Sequence, residues 1–314
     1  MRPPRIILHT GKGGVGKTSV AAATALRAAA GGLRTVLLST DPAHSLADSL
    51  GVELGPDPTP VVERLWAQEV RAQAEMERSW TAMRDWLGRA LAKQGIDSVR
   101  AEELTVPPGM DELFSLLQIR RHHESGEYDL IVVDCAPTGE TLRLLGFPEV
   151  ARWWLDKVFP WNGWLAGTVR PLARTLDLPV PDPAAFSELQ RLAESLLEIN
   201  EILRNGERCT IRLVLNPDRM VIREAKRTYT YLSLYGYVTD AVIANRVLPE
   251  ELGEGYLGGW QRAQAENLAE IEDGFAPVPV LPAPWLAEEV IGLEMLGRLG
   301  EAIFGGDGAA GGGA

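Results

Sequence analysis

The stretch HTGKGGVGKTSV, residues 9–20, decides the fold of this 314-residue chain. It contains the spacing G-x₄-G-K-T, which is typical of a phosphate-binding loop between a strand and a helix. The apolar run RIILHT at 5–10 precedes it and predicts a strand, and the residues TSVAAATALRAAA that follow are strong helix formers. With both flanks in place, the stretch predicts the strand, loop and helix that begin a nucleotide-binding α/β domain.

The loop residues are expected to hold phosphate through their backbone N–H groups. Glycines let these groups turn inward, and the N-terminus of the following helix adds its positive end. Lys17 is predicted to reach the β and γ phosphates of ATP, and the Thr18 hydroxyl to bind Mg²⁺. Lys12 is a second lysine that the loop pattern does not require. The predicted nucleotide-binding residues are Gly11, Lys12, Gly13, Gly14, Val15, Gly16, Lys17, Thr18 and Ser19.

Two aspartates are expected at the same edge of the sheet as this loop. Asp41 follows the predicted strand TVLLST (35–40), and Asp134 ends the predicted strand DLIVVD (129–134). Ligands of open α/β sheets bind at the carboxyl ends of the strands. An isolated Asp-Pro pair usually begins a loop, but beside a phosphate loop the two carboxylates supply what phosphoryl transfer needs. One is expected to hold Mg²⁺ through water and the other to orient the attacking water.

Seven short β-rich runs predict the strands of one sheet. Several are almost continuously hydrophobic, as parallel strands covered on both faces are, and helical patterns separate them. The chain is therefore predicted to form an α/β fold of the P-loop NTPase class, with a doubly wound, mostly parallel sheet. The predicted strands are 5–10, 35–40, 65–70, 129–134, 210–216, 241–247 and 277–281.

Two long intervals are too rich in helix to be simple crossovers between strands. They are predicted to form one helical subdomain inserted into the core. The Gly-rich tail, 305–314, has too little to bury and is expected to be disordered. The predicted core comprises 1–71, 109–147 and 207–304, and the helical subdomain comprises 72–108 and 148–206.

One helix of the second interval has a clear beginning and a clear apolar face. Asp182 is placed to cap it, with Pro183 at the first helical position. Apolar residues then recur at steps of three and four, which gives one hydrophobic face. These residues are Phe186, Leu189, Leu192, Leu196, Ile199 and Leu203.

Composition argues against several classes of protein. The formal net charge of −12 disfavours a broad nucleic-acid surface, which needs clustered lysine and arginine. Two cysteines in all do not make a disulfide framework or a four-cysteine zinc site within one subunit. The chain shows no secretory signal and no apolar run of about 20 residues that would cross a bilayer. We expect a cytoplasmic protein that neither binds nucleic acid nor inserts into a membrane.

The motifs resemble those of a known ATPase group. KGGVGKT (12–18), with a lysine directly before the double glycine, resembles the deviant Walker A motif of the family that contains MinD, ParA and the nitrogenase iron proteins. DPAHSLADSL (41–50) and DCAPTGETLRLLGFP (134–148) resemble switch I and switch II of the ArsA ATPases and of the guided-entry targeting factor for tail-anchored proteins. PPGMDEL (107–113) and NRV (245–247) resemble later segments of that group, so the resemblance covers most of the chain in order.

The resemblance implies an ATPase that works as a head-to-head homodimer and uses ATP and Mg²⁺. Lys12 would reach the phosphates in the other subunit, and Asp41 would position the hydrolytic water. Asp134 would hold Mg²⁺ through water and relay its state through the Pro-Thr-Gly that follows it. Asn245 would hydrogen-bond the adenine, and Asp218 falls where the family has an acidic residue near the nucleotide.

The resemblance leaves the biological role open between three alternatives. We favour an ATPase that binds and delivers the hydrophobic helices of tail-anchored membrane proteins. Six of the nine tryptophans fall in the two helical intervals, and WWLDKVFPWNGWLAGTV (153–169) is suited to line a groove, although such rings also serve to pack helices onto a core. The alternative is the ATPase subunit of a metalloid efflux pump, partnered with a membrane permease. A positioning ATPase of the MinD or ParA kind is less favoured, because acidic residues outnumber the single arginine in 285–304.

Two departures from the family restrict the roles of metals. Targeting factors bridged by zinc carry a CxxC pair, which this sequence lacks, so no zinc is expected. Arsenite-stimulated members carry cysteines that bind the metalloid. Cys135 lies in the switch II motif and Cys209 begins a core strand, so the two form no evident soft-ligand cluster.

Overall fold

The computed structural model describes residues 3–41, 45–70, 110–139, 141–146, 183–249, 255 and 257–305. At 110–112, 183–190 and 193 it describes the backbone alone. The strands are Arg5–Thr10 (β1), Thr35–Ser39 (β2), Thr59–Val62 (β3), Leu65–Glu69 (β4), Leu130–Asp134 (β5), Cys209–Leu215 (β6), Thr239–Val247 (β7) and Val280–Pro284 (β8). The helices are Lys17–Ala30 (α1), Ser45–Leu50 (α2), Met110–Ser125 (α3), Pro183–Arg204 (α4), Arg219–Leu234 (α5), Gly258–Phe275 (α6) and Gly292–Phe304 (α7).

The eight strands form one sheet in the order β3-β4-β2-β5-β1-β6-β7-β8. All neighbours are parallel except β3 and β4, which pair antiparallel. Helices connect most of the parallel strands, so the predicted α/β class and the mostly parallel sheet are confirmed. The central strands β2 and β5 are buried along their whole length, which explains their continuous hydrophobic runs.

The register of the central strands brings the sequence motifs to one edge. β5 lies between β1 and β2, and Asp134 is level with His9 on one side and with Ser39 on the other. The phosphate loop, the segment that contains Asp41 and the segment after Asp134 therefore all leave the sheet at its carboxyl edge. This edge is where open parallel sheets bind ligands.

Strand β3 was not predicted, because four residues that begin Thr-Pro give no periodic signal. It pairs with β4 after a short turn at Arg64, whose φ is 63°. The position of β8 was predicted wrongly: the expected strand at 277–281 lies three residues later. The Pro279 carbonyl accepts the Val242 N–H, and the Trp285 N–H donates to the Val247 carbonyl.

The pairing of β8 accommodates two prolines within the strand. Odd-numbered residues of β8 direct their backbone groups toward β7, so Pro282 and Pro284 occupy positions whose N–H would point outward. Since β8 is an edge strand, no ladder hydrogen bond is lost. The backbone N–H and C=O groups that face β7 therefore determine which residues of β8 pair with it. The hydrophobic pattern of the sequence does not show this register.

The phosphate loop rests on a hydrophobic cluster shared by several elements. Val15 of the loop is buried together with Val20 and Ala23 of α1, Val214 of β6 and Leu299 of α7. The Ala-rich face of α1 allows α7 to pack closely. The loop is thus held from below by the sheet and from the side by two helices.

The chain divides into two compact units, Met1–Val70, Arg121–Leu142 and Ile202–Ala314 in one, and Arg71–Arg120 and Arg143–Glu201 in the other. Most of the second unit lies outside the described residues, so the predicted helical subdomain stays a prediction. Helix α4 begins at Pro183 as expected, and Leu196, Ile199 and Leu203 of its predicted apolar face are buried. The cap Asp182, the segment 153–169 and the tail after Gly305 lie outside the described residues. In the described part of the chain, no helix combines the length and apolarity that a bilayer crossing requires.

Candidate nucleotide site

The backbone of the phosphate loop requires glycine at two positions for different reasons. A Cβ at Gly11 would collide with the Val214 carbonyl of β6, so the loop leaves β1 pressed against the neighbouring strand. Gly16 has φ 90°, and a Cβ there would collide with the side chain of Asn245. Gly16 is also the residue before α1, so its left-handed conformation turns the chain into the helix.

Lys17 lies under the loop, where a phosphate group would bind. The residue is 5% exposed, and its Nζ donates to the Lys12 carbonyl at 3.4 Å. It is the first residue of α1, so its charge adds to the positive end of the helix. The loop therefore presents a buried cation and backbone N–H groups to an anion.

Asp134 is fully buried at the end of β5, and among the described residues neither of its carboxylate oxygens has a hydrogen-bond partner. Burial raises the pKa of this carboxyl to about 7, and the charge of Asp41 adds to the increase. The Thr18 hydroxyl and the Lys17 ammonium oppose it by favouring the charged form. A buried carboxylate with free oxygens calls for a further partner, because burying an unpaired charge is costly.

Asp41 is brought beside Asp134 by hydrogen bonds between the two segments. The Thr40 N–H donates to the Asp134 carbonyl at 3.0 Å, and the Ala136 N–H donates to the Thr40 hydroxyl at 3.3 Å. The Asp41 N–H donates to the Ser39 hydroxyl at 3.3 Å. The two predicted carboxylates therefore share one edge, as their positions at strand ends predicted.

The Thr18 hydroxyl contacts a side chain that the sequence did not predict as a site residue. Its hydroxyl lies 3.3 Å from the Ser45 hydroxyl at the start of α2. The buried Glu69 of β4 accepts the Ala47 N–H at 3.2 Å and so anchors the first turn of α2. Ser45 belongs to the segment DPAHSLADSL that was quoted above. No feature of the sequence distinguishes Glu69 from the other glutamates, and only the fold shows that it lies beside α2.

Asn245 and Asp218, both predicted near the nucleotide, occupy different environments. Asn245 is buried, and its amide donates to the Val15 carbonyl at 2.8 Å, so it lies against the phosphate loop. Asp218 is exposed and is the N-cap of α5, where its Oδ1 accepts the Met220 N–H at 2.9 Å. Asn245 is thus part of the loop's immediate surroundings, whereas Asp218 has a local role in beginning α5.

Lys12 is bound within its own chain by a residue that sequence reasoning missed. Its Nζ lies 3.4 Å from Oε2 of Glu224, on α5. The other oxygen of Glu224 accepts the Thr138 hydroxyl at 2.8 Å. Glu224 is more than 200 residues from Lys12 in sequence and lies in an unremarkable helical pattern. Only its contact with Lys12 in the folded structure identifies Glu224 as part of the site.

Both cysteines are inaccessible. Cys135 and Cys209 are free thiols and are buried at 0% and 1% exposure. Burial is the largest cause of a raised pKa for each thiol. Since the thiolate is the form that binds soft metals, neither side chain is suited to that role in this conformation.

The family model for anion-transporting ATPases (ArsA_ATPase) matches residues 4–305. The chain belongs to this family. It is 42% identical over 308 residues to the "Putative arsenical pump-driving ATPase" of Chlorobaculum tepidum, a match that covers 96% of the chain and 75% of the relative. It is also 29% identical to ATPase GET3B of Arabidopsis thaliana, over 94% of the chain and 77% of the relative, and 29% identical to ATPase GET3 of Podospora anserina, over 96% and 91%.

This ArsA-family ATPase hydrolyses ATP, and the site contains the groups that the reaction requires. Lys17 is buried at the first position of α1, and its Nζ donates to the Lys12 carbonyl of the glycine-rich loop. Asp41 and Asp134 lie at the carboxyl edge beside the Thr18 hydroxyl. Catalysis of phosphoryl transfer is chiefly positioning and neutralisation of charge, which such an arrangement provides.

Proposed function

We propose that the chain is a homodimeric, Mg²⁺-dependent ATPase that couples closure on ATP to the binding and delivery of hydrophobic transmembrane helices, such as those of tail-anchored membrane proteins. The observation that carries the ATPase part is the buried Asp134 carboxylate beside an intact phosphate loop: among the described residues its oxygens have no hydrogen-bond partner within normal distance, and the Thr18 hydroxyl and Lys17 ammonium nearby favour its charged form. The choice of client is supported by the similarity to the ATPases GET3B and GET3 together with the inaccessible cysteines.

The residues at this edge fit Mg²⁺. A magnesium ion takes hard oxygen ligands and is usually held by one or two carboxylates, water and substrate phosphates. Asp134 and the Thr18 hydroxyl offer such oxygens, with Asp41 close by. The ion would supply charge neutralisation for the phosphates. No zinc-type ligand set is expected, and the two thiols of the chain are buried.

Each protein group has a distinct task in the proposed reaction. Lys17 and the loop N–H groups bind the β and γ phosphates and hold them in place. Asp41 orients the water that attacks the γ phosphorus and accepts its proton. Lys12, which projects from the loop with a side chain 43% exposed, neutralises phosphate charge in the second subunit. ATP therefore favours the closed dimer, because it is bound by both chains.

The alternative is an ATPase subunit of a metalloid efflux pump, and the names of the bacterial relatives favour it. In such a pump, arsenite bound by thiolates would stimulate hydrolysis. Both thiols of this chain are buried with a raised pKa, so a metalloid site made of cysteine would require rearrangement of β5 and β6. We therefore favour the hydrophobic client.

One experiment separates the two roles. Purified protein is assayed for ATPase activity with arsenite and, separately, for soluble complex formation with a tail-anchored helix. We expect a stable complex that is lost when Trp153, Trp154 and Trp164 are replaced together, and no arsenite stimulation. Arsenite stimulation that is abolished in a Cys135→Ser, Cys209→Ser protein would contradict this role and support the pump.

A further inference from the structure

A single glutamate on α5 joins the phosphate loop to the segment that follows Asp134. Oε2 of Glu224 lies 3.4 Å from Lys12 Nζ, and Oε1 accepts the Thr138 hydroxyl at 2.8 Å. We call these three residues, Lys12, Glu224 and Thr138, the Glu224 bridge. All three belong to the same compact unit of the chain.

The two halves of the Glu224 bridge differ in burial. Thr138 is 7% exposed, and the side chain of Glu224 is 29% exposed. The Lys12 side chain is 43% exposed, so its half of the bridge faces solvent and is the half that a moderate free energy can break. The carboxylate thus has a buried, oriented anchor on Thr138 and a releasable partner in Lys12.

The position of Thr138 gives the bridge a connection to the nucleotide. Thr138 is four residues beyond Asp134, and the Thr141 hydroxyl that follows donates to the Ala136 carbonyl at 2.6 Å. Thr141 in turn accepts a hydrogen bond at 3.1 Å from the Thr10 hydroxyl, at the end of β1. A shift of this segment when Asp134 acquires a partner therefore moves one of the two groups that orient Glu224.

We propose that Glu224 is a positioning residue that holds Lys12 within its own subunit in the nucleotide-free protein, and that Thr138 couples the release of Lys12 to the segment after Asp134. Lys12 has one ammonium, so it does not bind Glu224 and a distant phosphate at the same time. The Glu224 bridge therefore competes with every other use of Lys12. The inference rests on the proposed function only where Lys12 is said to act on a second subunit.

The bridge is tested by measuring how fast Lys12 reacts with an acylating reagent in nucleotide-free protein, with the labelled site identified by mass spectrometry. Glu224→Gln keeps the shape and still accepts the Thr138 hydroxyl, but it removes the charge that holds Lys12. We expect Lys12 to label about two to five times faster than in the wild type, the range that breaking a partly exposed ion pair allows. Equal labelling in the wild type and Glu224→Gln would overturn the inference.

The same helix supplies a matched control. Lys226 on α5 lies 2.9 Å from Glu270 on α6, an ion pair of similar exposure that does not contact the site. Glu270→Gln should accelerate labelling of Lys226 and leave Lys12 unchanged. Faster Lys12 labelling in Glu270→Gln would show that loosening α5 is sufficient, which contradicts a specific role for Glu224. Thermal unfolding of each variant checks that the fold is kept.

The coupling has its own test. Thr138→Val removes the hydroxyl and keeps the side-chain shape, so Glu224 loses its buried anchor but not its charge. We expect Lys12 to label up to about twice as fast, a smaller change than in Glu224→Gln, because Glu224 keeps its charge and loses one hydrogen bond from a hydroxyl. Unchanged labelling of Lys12 in Thr138→Val would refute the coupling.

The activity assay separates this inference from the proposed function. If Lys12 acts on a second subunit, ATPase activity per chain rises with protein concentration, and Glu224→Gln should reach half-maximal activity at about two to five times less protein. Altered labelling with activity that is independent of protein concentration would keep the Glu224 bridge and refute the dimer. Activity that depends on protein concentration, with unaltered labelling of Lys12, would support the dimer and refute the Glu224 bridge.

Discussion

Strand β5 has an aspartate at each end, and the two are in opposite environments. Asp129, just before the strand, accepts three hydrogen bonds from Arg34: from its backbone N–H at 2.9 Å, from Nε at 3.1 Å and from Nη2 at 2.8 Å. These bonds lower the pKa of Asp129 to about 2. Asp134, at the other end, is buried without a hydrogen-bond partner among the described residues, and its pKa is raised to about 7.

The two edges of the sheet differ in the same way. At the amino edge Asp240 is also paired: it accepts the Thr210 hydroxyl at 2.9 Å and lies 3.3 Å from Arg212. At the carboxyl edge the Asp134 carboxylate and the Lys17 ammonium are both buried, at a position where a bound ligand would contact them. A paired carboxylate stabilises the fold, whereas an unpaired buried one costs stability and is retained at functional sites.

The largest expected difference between the two aspartates is in turnover. Asp134→Asn should lower the ATPase rate at least about 100-fold, because the proposed Mg²⁺, which would neutralise charge at the phosphates, loses its carboxylate. Asp129→Asn should leave the rate within about twofold, since Arg34 pairing is remote from the site. Phosphate release at saturating Mg-ATP measures both. Comparable losses in the two variants would show that the edges do not differ in function.

The second difference is in how stability depends on pH. In the nucleotide-free, metal-free protein the folded state favours neutral Asp134, so the free energy of unfolding should fall as the pH rises from about 4 to about 7 and then level off. The change from an ordinary value of 3.8 to about 7 corresponds to on the order of 4 kcal/mol at most. Urea denaturation across this range should show the slope in the wild type and its absence in Asp134→Asn. A variant with an unaltered slope would assign the effect to other groups.

Two glycines of the phosphate loop test the backbone conformation at the carboxyl edge. Gly14→Ala and Gly16→Ala both place a Cβ on a residue with positive φ, 80° and 90°. Gly14 has open space around it, whereas Gly16 faces Asn245. We expect about 1 kcal/mol of lost stability for Gly14→Ala from strain alone. Gly16→Ala should lose about 1–3 kcal/mol more and should lose ATP binding, as measured by denaturation and calorimetry. Equal losses of stability in the two variants would show that Asn245 does not pack tightly against Gly16.

The smallest effect concerns the paired aspartate. Because the pKa of Asp129 is lowered, its contribution to stability is present above about pH 4 and is lost as the pH falls toward 2. The pair is partly exposed and screened, so Asp129→Asn should lower the Tm at pH 7 by only about 1–3 °C. The difference from the wild type should vanish near pH 2, and its persistence there would show that the pair is not the cause.

The sequence predicted those parts of the site whose position follows from local pattern. The loop with Lys17, and the aspartates Asp41 and Asp134, each stand at the end of a hydrophobic run. The parallel sheet brings such ends together without further information. The mostly parallel fold followed from the same runs, since strands covered on both faces are hydrophobic throughout.

Other features depend on contacts between distant segments. The Glu224 bridge joins a loop, a helix and a strand end that share no motif, and Glu69 anchors α2 from a neighbouring strand. The register of β8 is set by which residues direct backbone groups toward β7, and a run of alternating prolines does not show that. Hydrophobic periodicity in the sequence identifies strands and helices, but contacts in the folded structure determine which of them lie side by side.

The central claim, that one active site needs residues from two chains, is tested most directly by mixing two inactive variants. Lys12→Ala lacks the cation that is proposed to act across the interface, and Asp41→Asn binds ATP but lacks the group that orients water. In a mixed dimer, the nucleotide of the Lys12→Ala chain meets its own Asp41 and its partner's Lys12, so that site is active and the other is not. We expect mixing to restore activity up to one site per mixed dimer. Activity no greater than the sum of the separate variants, with mixed dimers shown to form, would contradict it.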